Sequence, residues 1–105
     1  MKTKAIIDGK RYDTTTATKL ATYGNGLDIS DFRNVTEILY RTPCGAFFIS
    51  ATGGPYSKYA IVEGNRRSGD SRIVVLSNKE AQAWLEEHQY VKTLEKYFGD
   101  SLIDG

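Results

Sequence analysis

The hydrophobic periodicity of this chain changes once, at Leu76-Ser77, and no other feature limits its fold as strongly. Up to that point, short β-prone runs are separated by turn formers. Beyond it the apolar residues follow a helical period. Ser77-Asn78-Lys79-Glu80 forms a capping box, in which Ser77 accepts from the backbone N–H of Glu80 and the Glu80 side chain reaches back. Ala81, Trp84, Leu85 and His88 then fall on one helical face, and Val91, Leu94, Tyr97 and Phe98 continue the stripe. The spacing predicts two short helices with a break near 88–90, or one bent helix, stopped by Gly99. Trp84, Leu85, Val91, Leu94 and Phe98 are the expected helical share of the core.

The segment before the switch predicts antiparallel hairpins. Asp8-Gly9 lies between Ala5-Ile6-Ile7 and Arg11-Tyr12, the pattern of a type I′ turn, and defines a hairpin over 5–13. Thr18–Tyr23 is a further β-prone run, closed by Gly24-Asn25-Gly26, and 27–34 is an irregular connection. A second hairpin spans 35–52, turning at Thr42-Pro43-Cys44-Gly45 with Pro and Gly where a type I turn places them. Alternation sets Val35, Glu37, Leu39 and Arg41 on one face and Thr36, Ile38, Tyr40 and Thr42 on the other. Large side chains on both faces predict a central position in the sheet. Gly53-Gly54-Pro55 ends the run; Tyr56–Glu63 reads as a helical turn or irregular strand, Gly64–Asp70 as an exposed loop, and Arg72–Leu76 as a short inner strand. The expected architecture is α+β: an antiparallel sheet of about four or five strands, with hairpins 5–13 and 35–52, packed by two C-terminal helices. One domain covers 1–105, β-rich over 1–76 and helical over 77–99.

Length and composition narrow the function classes. A chain of 105 residues has room for one modest core. Seven Tyr, four Phe and one Trp supply both core area and contact anchors. Cys44 is the sole cysteine, so neither an internal disulfide nor a thiolate zinc cluster is expected, which points to a reducing compartment. The apolar run near Met1 is too short for a signal peptide, and no stretch has the length of a membrane span, so a cytoplasmic protein is expected. Net charge is +1 but unevenly placed: 1–76 carries eleven Lys/Arg against seven acids, and 77–105 three against six. A basic side and an acidic side follow.

Catalytic chemistry finds no pattern. His88 is the only histidine and sits on an apolar helical stripe, where packing accounts for it. Glu86 and Glu87 are adjacent, so their carboxylates diverge around the helix. The glycine pairs lack the Lys-Ser/Thr of a phosphate-binding loop, and no Cys/His spacing suits a metal. No catalytic residue, cofactor, metal site or small-molecule substrate is expected. The strongest binding candidate is the stretch 53–72, which interleaves Tyr56, Lys58, Tyr59, Arg66, Arg67 and Arg72 with Gly and Ser. Arg pairs with carboxylate or phosphate, and Tyr offers rigid contact area or a stacking face for bases.

Several stretches together resemble a known group. They are Ile7-Asp8-Gly9-Lys10-Arg11-Tyr12; Leu39-Tyr40-Arg41-Thr42 leading through Gly45 to Phe47-Phe48; Gly53-Gly54 with Ser57-Lys58-Tyr59-Ala60; Leu76-Ser77 with Glu80-Ala81 and Trp84; and Tyr97-Phe98-Gly99. This pattern is similar to a family of small proteins found on phages, plasmids and integrated elements of Gram-positive bacteria. Some proteins of this kind resemble anti-CRISPR inhibitors of subtype II-A systems. The resemblance implies a protein-binding inhibitor of the type II CRISPR effector nuclease, acting in the bacterial cytoplasm. It assigns no functional residue. A net charge of +1 argues against imitation of DNA and favours interference with guide RNA loading, or retention of the nuclease in an inactive form. The alternative is an RNA- or DNA-binding accessory protein of a phage or plasmid, using the basic 56–72 segment.

Overall fold

The computed structural model describes residues 3–26 and 32–102. It is an α+β fold. Four antiparallel strands form the central sheet: β3 (Thr18–Gly24), β4 (Val35–Arg41), β5 (Phe47–Gly53) and β8 (Asp70–Leu76), in the order β3-β4-β5-β8. The hairpin expected over 35–52 is therefore central, as its two large-residue faces required. Its turn closes as a type I turn, with Gly45 N–H donating to the Thr42 carbonyl (2.9 Å) and Gly45 at φ 88°. The first part of the connection 27–34 falls outside the described residues.

Two helices cover one face. α1 (Asn78–Glu87) starts at the capping box, which is present with both reciprocal bonds, and α2 (Val91–Phe98) follows the break. That break is a local left-handed residue, Gln89 at φ 59°. Ala81, Trp84, Leu85, Leu94 and Phe98 pack on Val35, Leu39, Phe47, Ile49 and Ala51, which alternate onto this face of β4 and β5. Phe98 stacks on Phe47 with ring centroids 5.4 Å apart. Val91 does not join this core: it is 53% exposed. It is the first residue of α2, at the exposed end of the stripe that Leu94 and Phe98 bury. Gly99 is also not a left-handed stop; its φ of −54° and ψ of −37° are right-handed, and the chain tightens into a 3-10 turn over Gly99–Ser101.

The other face is covered by β1 (Lys4–Ile7) and β2 (Lys10–Asp13). Asp8 and Gly9 both have positive φ, as the type I′ turn demands. These strands pair only with each other, as a separate two-stranded sheet. Tyr12 carries the packing, meeting Phe48 edge-on at 5.7 Å beside Ile73. The result is three layers: helices, central sheet, hairpin.

A third small sheet corrects the reading of the 53–72 stretch. After a turn region at 55–59 the chain forms β6 (Ile61–Glu63) and β7 (Arg66–Ser68), paired antiparallel. Gly64–Asp70 is thus not a loop. The polar sequence hid the strand, and Gly64 at φ 59° supplies the positive φ that opens a two-residue hairpin turn. Since Gly53 is the register partner of Asp70, residues 54–69 are one excursion from the end of the β5–β8 hairpin.

Candidate functional site

That excursion has a tightly built root and an exposed arm. At the root, Gly54 N–H donates to the Asn34 carbonyl (3.0 Å) and Tyr56 N–H to that of Phe32 (2.6 Å), tying the excursion to residues 32–34, just before β4. Ser57 Oγ donates to the Gly54 carbonyl (2.7 Å) and accepts from Tyr59 N–H (3.2 Å). At the return, Gly69 passes so close to Gly53 that a Cβ there would lie 2.6 Å from the Gly53 carbonyl oxygen. Gly69→Ala is expected to cost about 1–3 kcal/mol by forcing this backbone crossing apart. Gly64→Ala, in open space, meets only the left-handed strain of about 1–2 kcal/mol. Urea unfolding of both variants checks this; a Gly69→Ala midpoint equal to wild type would dismiss the crossing as a constraint.

The root is fastened from below by a buried carboxylate. Glu37 on β4 is 2% exposed, on the apolar face between Val35 and Leu39. Trp84 Nε1 donates to its Oε1 (2.9 Å), Lys58 Nζ lies 2.8 Å from its Oε2, and the Tyr59 hydroxyl donates to the same Oε2. Desolvation pushes the Glu37 pKa up, but the bonds from Lys58, Tyr59 and Trp84 outweigh it and hold the carboxylate below its ordinary range. Burial, then the bond to Glu37, drives the Tyr59 hydroxyl pKa well up, so it remains a donor. One anion thereby joins the sheet, α1 and the arm root.

This arrangement divides the six residues of the predicted binding stretch. Lys58 and Tyr59 are committed to Glu37. Arg72 is held by Asp70 (3.0 Å) and donates to the Tyr59 carbonyl (3.1 Å), with its guanidinium 5.5 Å from the Tyr59 ring centroid. These three build the root. Tyr56, Arg66 and Arg67 are exposed on the arm, and Lys58, although paired with Glu37, keeps a side chain that is 62% exposed.

On the arm, cross-strand pairing sets Val62 beside Arg67 on one face and Glu63 beside Arg66 on the other. Arg67 lies with its guanidinium 4.8 Å over the Tyr56 ring, while its Nε donates to the Pro55 carbonyl (3.0 Å). The Tyr56 ring is in turn 6.1 Å from that of Phe32. A continuous row results: Phe32, Tyr56, Arg67, Val62. Its apolar members are 63%, 59% and 56% exposed in that order. Sequence reasoning missed Phe32 and Val62, because the first stands in an irregular connection and the second in a strand too short to show alternation. A cleft of about 330 Å³ opens beside Tyr56, lined also by Tyr23, Asn25, Arg33 and Lys58.

Elsewhere the reactive side chains are absorbed by packing or isolated. His88 stacks on Tyr23 (4.0 Å) and meets Trp84 edge-on (4.6 Å). Cys44 is exposed in the type I turn. Among the described residues no group of three His, Cys, Asp or Glu is placed to hold a metal ion. No helix among them is long and apolar enough to cross a membrane. Comparison with family models, curated proteins and solved structures finds no match.

Proposed function

We propose that this protein is a stoichiometric, non-catalytic binder that presents the β6–β7 arm and the row at its base to another protein. The supporting observation is a contrast: a buried charge, a tight glycine crossing and several root bonds fix a hairpin whose strand residues are all exposed. Rigid exposed aromatics beside Arg match the composition of binding centres, where Tyr and Arg are enriched and Lys is depleted. Preorganisation of this kind reduces the ordering cost of association.

The target that fits the sequence resemblance is the type II CRISPR RNA-guided nuclease in the bacterial cytoplasm, with guide RNA loading the step most open to interference. Target-DNA cleavage, with the protein added before or after guide RNA, tests this. Inhibition that saturates near one-to-one and depends on order of addition is expected. Tyr56→Ala with Arg67→Ala should weaken it about tenfold or more, as loss of central anchors does. Absence of inhibition with several subtype II-A nucleases, or turnover at substoichiometric protein, would refute the proposal.

A second reading has one observation in its favour: the Arg67–Tyr56 pair could also stack a base. RNA or DNA binding on that surface would weaken steeply with salt, as counterion release requires. A flat salt response removes it.

A further inference from the structure

From the order of side chains along the exposed row, we infer that the arm takes a protein segment in which one carboxylate is flanked by apolar side chains. This deepens the proposal above, since it rests on the same surface being the contact face. The row places a single cation between apolar groups: Phe32 and Tyr56 on one side of Arg67, Val62 on the other. Its complement is a single anion between apolar groups.

The guanidinium is already oriented. Its Cζ lies 4.8 Å from the Tyr56 ring centroid and its Nε donates to the Pro55 carbonyl, so the terminal nitrogens are the donors left to meet a ligand. Two parallel N–H groups on a fixed plane suit a carboxylate bidentately. The cation–π contact and the Nε bond hold the side chain before a ligand arrives, so little rotamer freedom is lost on binding.

Charge placement separates this ligand from a nucleic acid strand. A phosphate backbone presents repeated charges and is met by several cations in sequence. Here the neighbouring cations do not form a file along the row: Arg66 is on the opposite face of the hairpin with Glu63 as its cross-strand neighbour, Arg72 is ion-paired at the root, and Arg33 and Lys58 line the cleft on the other side of Tyr56, Lys58 paired with Glu37 while 62% exposed. Val62 would face a polar backbone with nothing to bury against.

The test uses isotope-labelled full-length protein and short synthetic probes. They are a peptide with a central Glu between Leu and Phe, the same peptide with Gln or Lys in place of Glu, and an oligouridylate. The Glu peptide is expected to shift the amide resonances of Tyr56, Val62 and Arg67 saturably, and to bind about tenfold tighter than the Gln peptide, as loss of a charge-assisted pair implies. Arg67→Gln, a surface change, should erase that preference while leaving the rest of the spectrum intact. Equal affinity for Glu and Gln peptides, no saturable shift, or stronger shifts of the same amides by oligouridylate would overturn the inference. If the peptides discriminate as expected while no nuclease is inhibited, the carboxylate-binding row stands and the nuclease target falls. If inhibition occurs without peptide discrimination, the inference falls alone.

Discussion

Glu37→Gln is expected to lower stability at pH 7 by about 2 kcal/mol, the scale of losing charge-assisted hydrogen bonds at a buried site. Gln preserves the shape, so the effect reports charge and not volume. Lys58 loses its counterion, and the Tyr59 hydroxyl and Trp84 N–H lose an anionic acceptor. The pH dependence gives the sharper signature. The folded carboxylate titrates below its ordinary value near 4.5, so its contribution is fully present above that value and is lost as pH falls through the folded pKa. Wild type should therefore lose stability across that acid window more steeply than Glu37→Gln. Asp13, held down by the Thr15 hydroxyl and amide, and Glu80, held down by Ser77, titrate in the same direction and leave residual slope in the variant. Guanidinium unfolding of both proteins at a series of pH values measures the difference. Parallel pH profiles would mean that Glu37 does not carry the ionised network.

The same substitution reaches the proposed contact surface. Lys58 and Tyr59 are the near neighbours of Tyr56, and the arm leaves the sheet through them. Freeing that root should raise amide exchange at Tyr59 and along β6, with the helices less affected. Binding then weakens although no residue of the exposed row has changed. This is the energetic meaning of a charge buried beneath a surface loop: it costs desolvation and supplies position.

Glu37 also shows what the sequence could and could not reveal. Alternation placed it beside Val35 and Leu39, and a carboxylate in an apolar row is itself a signal, since buried charges must be partnered. The partners were out of reach, because Trp84 is far along the chain and Lys58 and Tyr59 stood only as members of the binding stretch, with nothing local to pair them with Glu37. Local codes were legible. Asp8-Gly9 formed its turn, Ser77 and Glu80 formed their box, and the large residues on both faces of β4 placed it centrally. The β6–β7 hairpin was not legible, because Glu63-Gly64-Asn65-Arg66-Arg67 has low strand propensity and forms strands only through its two-residue turn. Val91 shows the reverse failure, in which a correct period was extended one residue past the point where tertiary geometry used it. The six predicted binding residues mixed two roles that composition cannot separate: cations that fasten a root and cations that face outward.

Phe48→Ala should have the larger effect on the fold, about 3–5 kcal/mol, typical of emptying a buried aromatic site. Phe48 is fully buried, stacked on Tyr40 at 5.2 Å and met edge-on by Tyr12. With Ile73 and Tyr40 it forms the sheet's side of the cluster that receives Tyr12, Ala5 and Ile7 of the separate β1–β2 hairpin. An isolated two-stranded hairpin is marginal in water, so the loss should concentrate there before it reaches the helices. Hydrogen exchange of Phe48→Ala should show Lys4–Asp13 losing protection first. Leu85→Ala is the matched control, because Leu85 is equally buried on the opposite face, where it belongs to the helix-side core. Its loss should appear first over 78–98. Two distinct exchange patterns would establish that the sheet separates two cores; one shared pattern would show that the layers unfold as a single unit and that the hairpin's attachment has no independent stability.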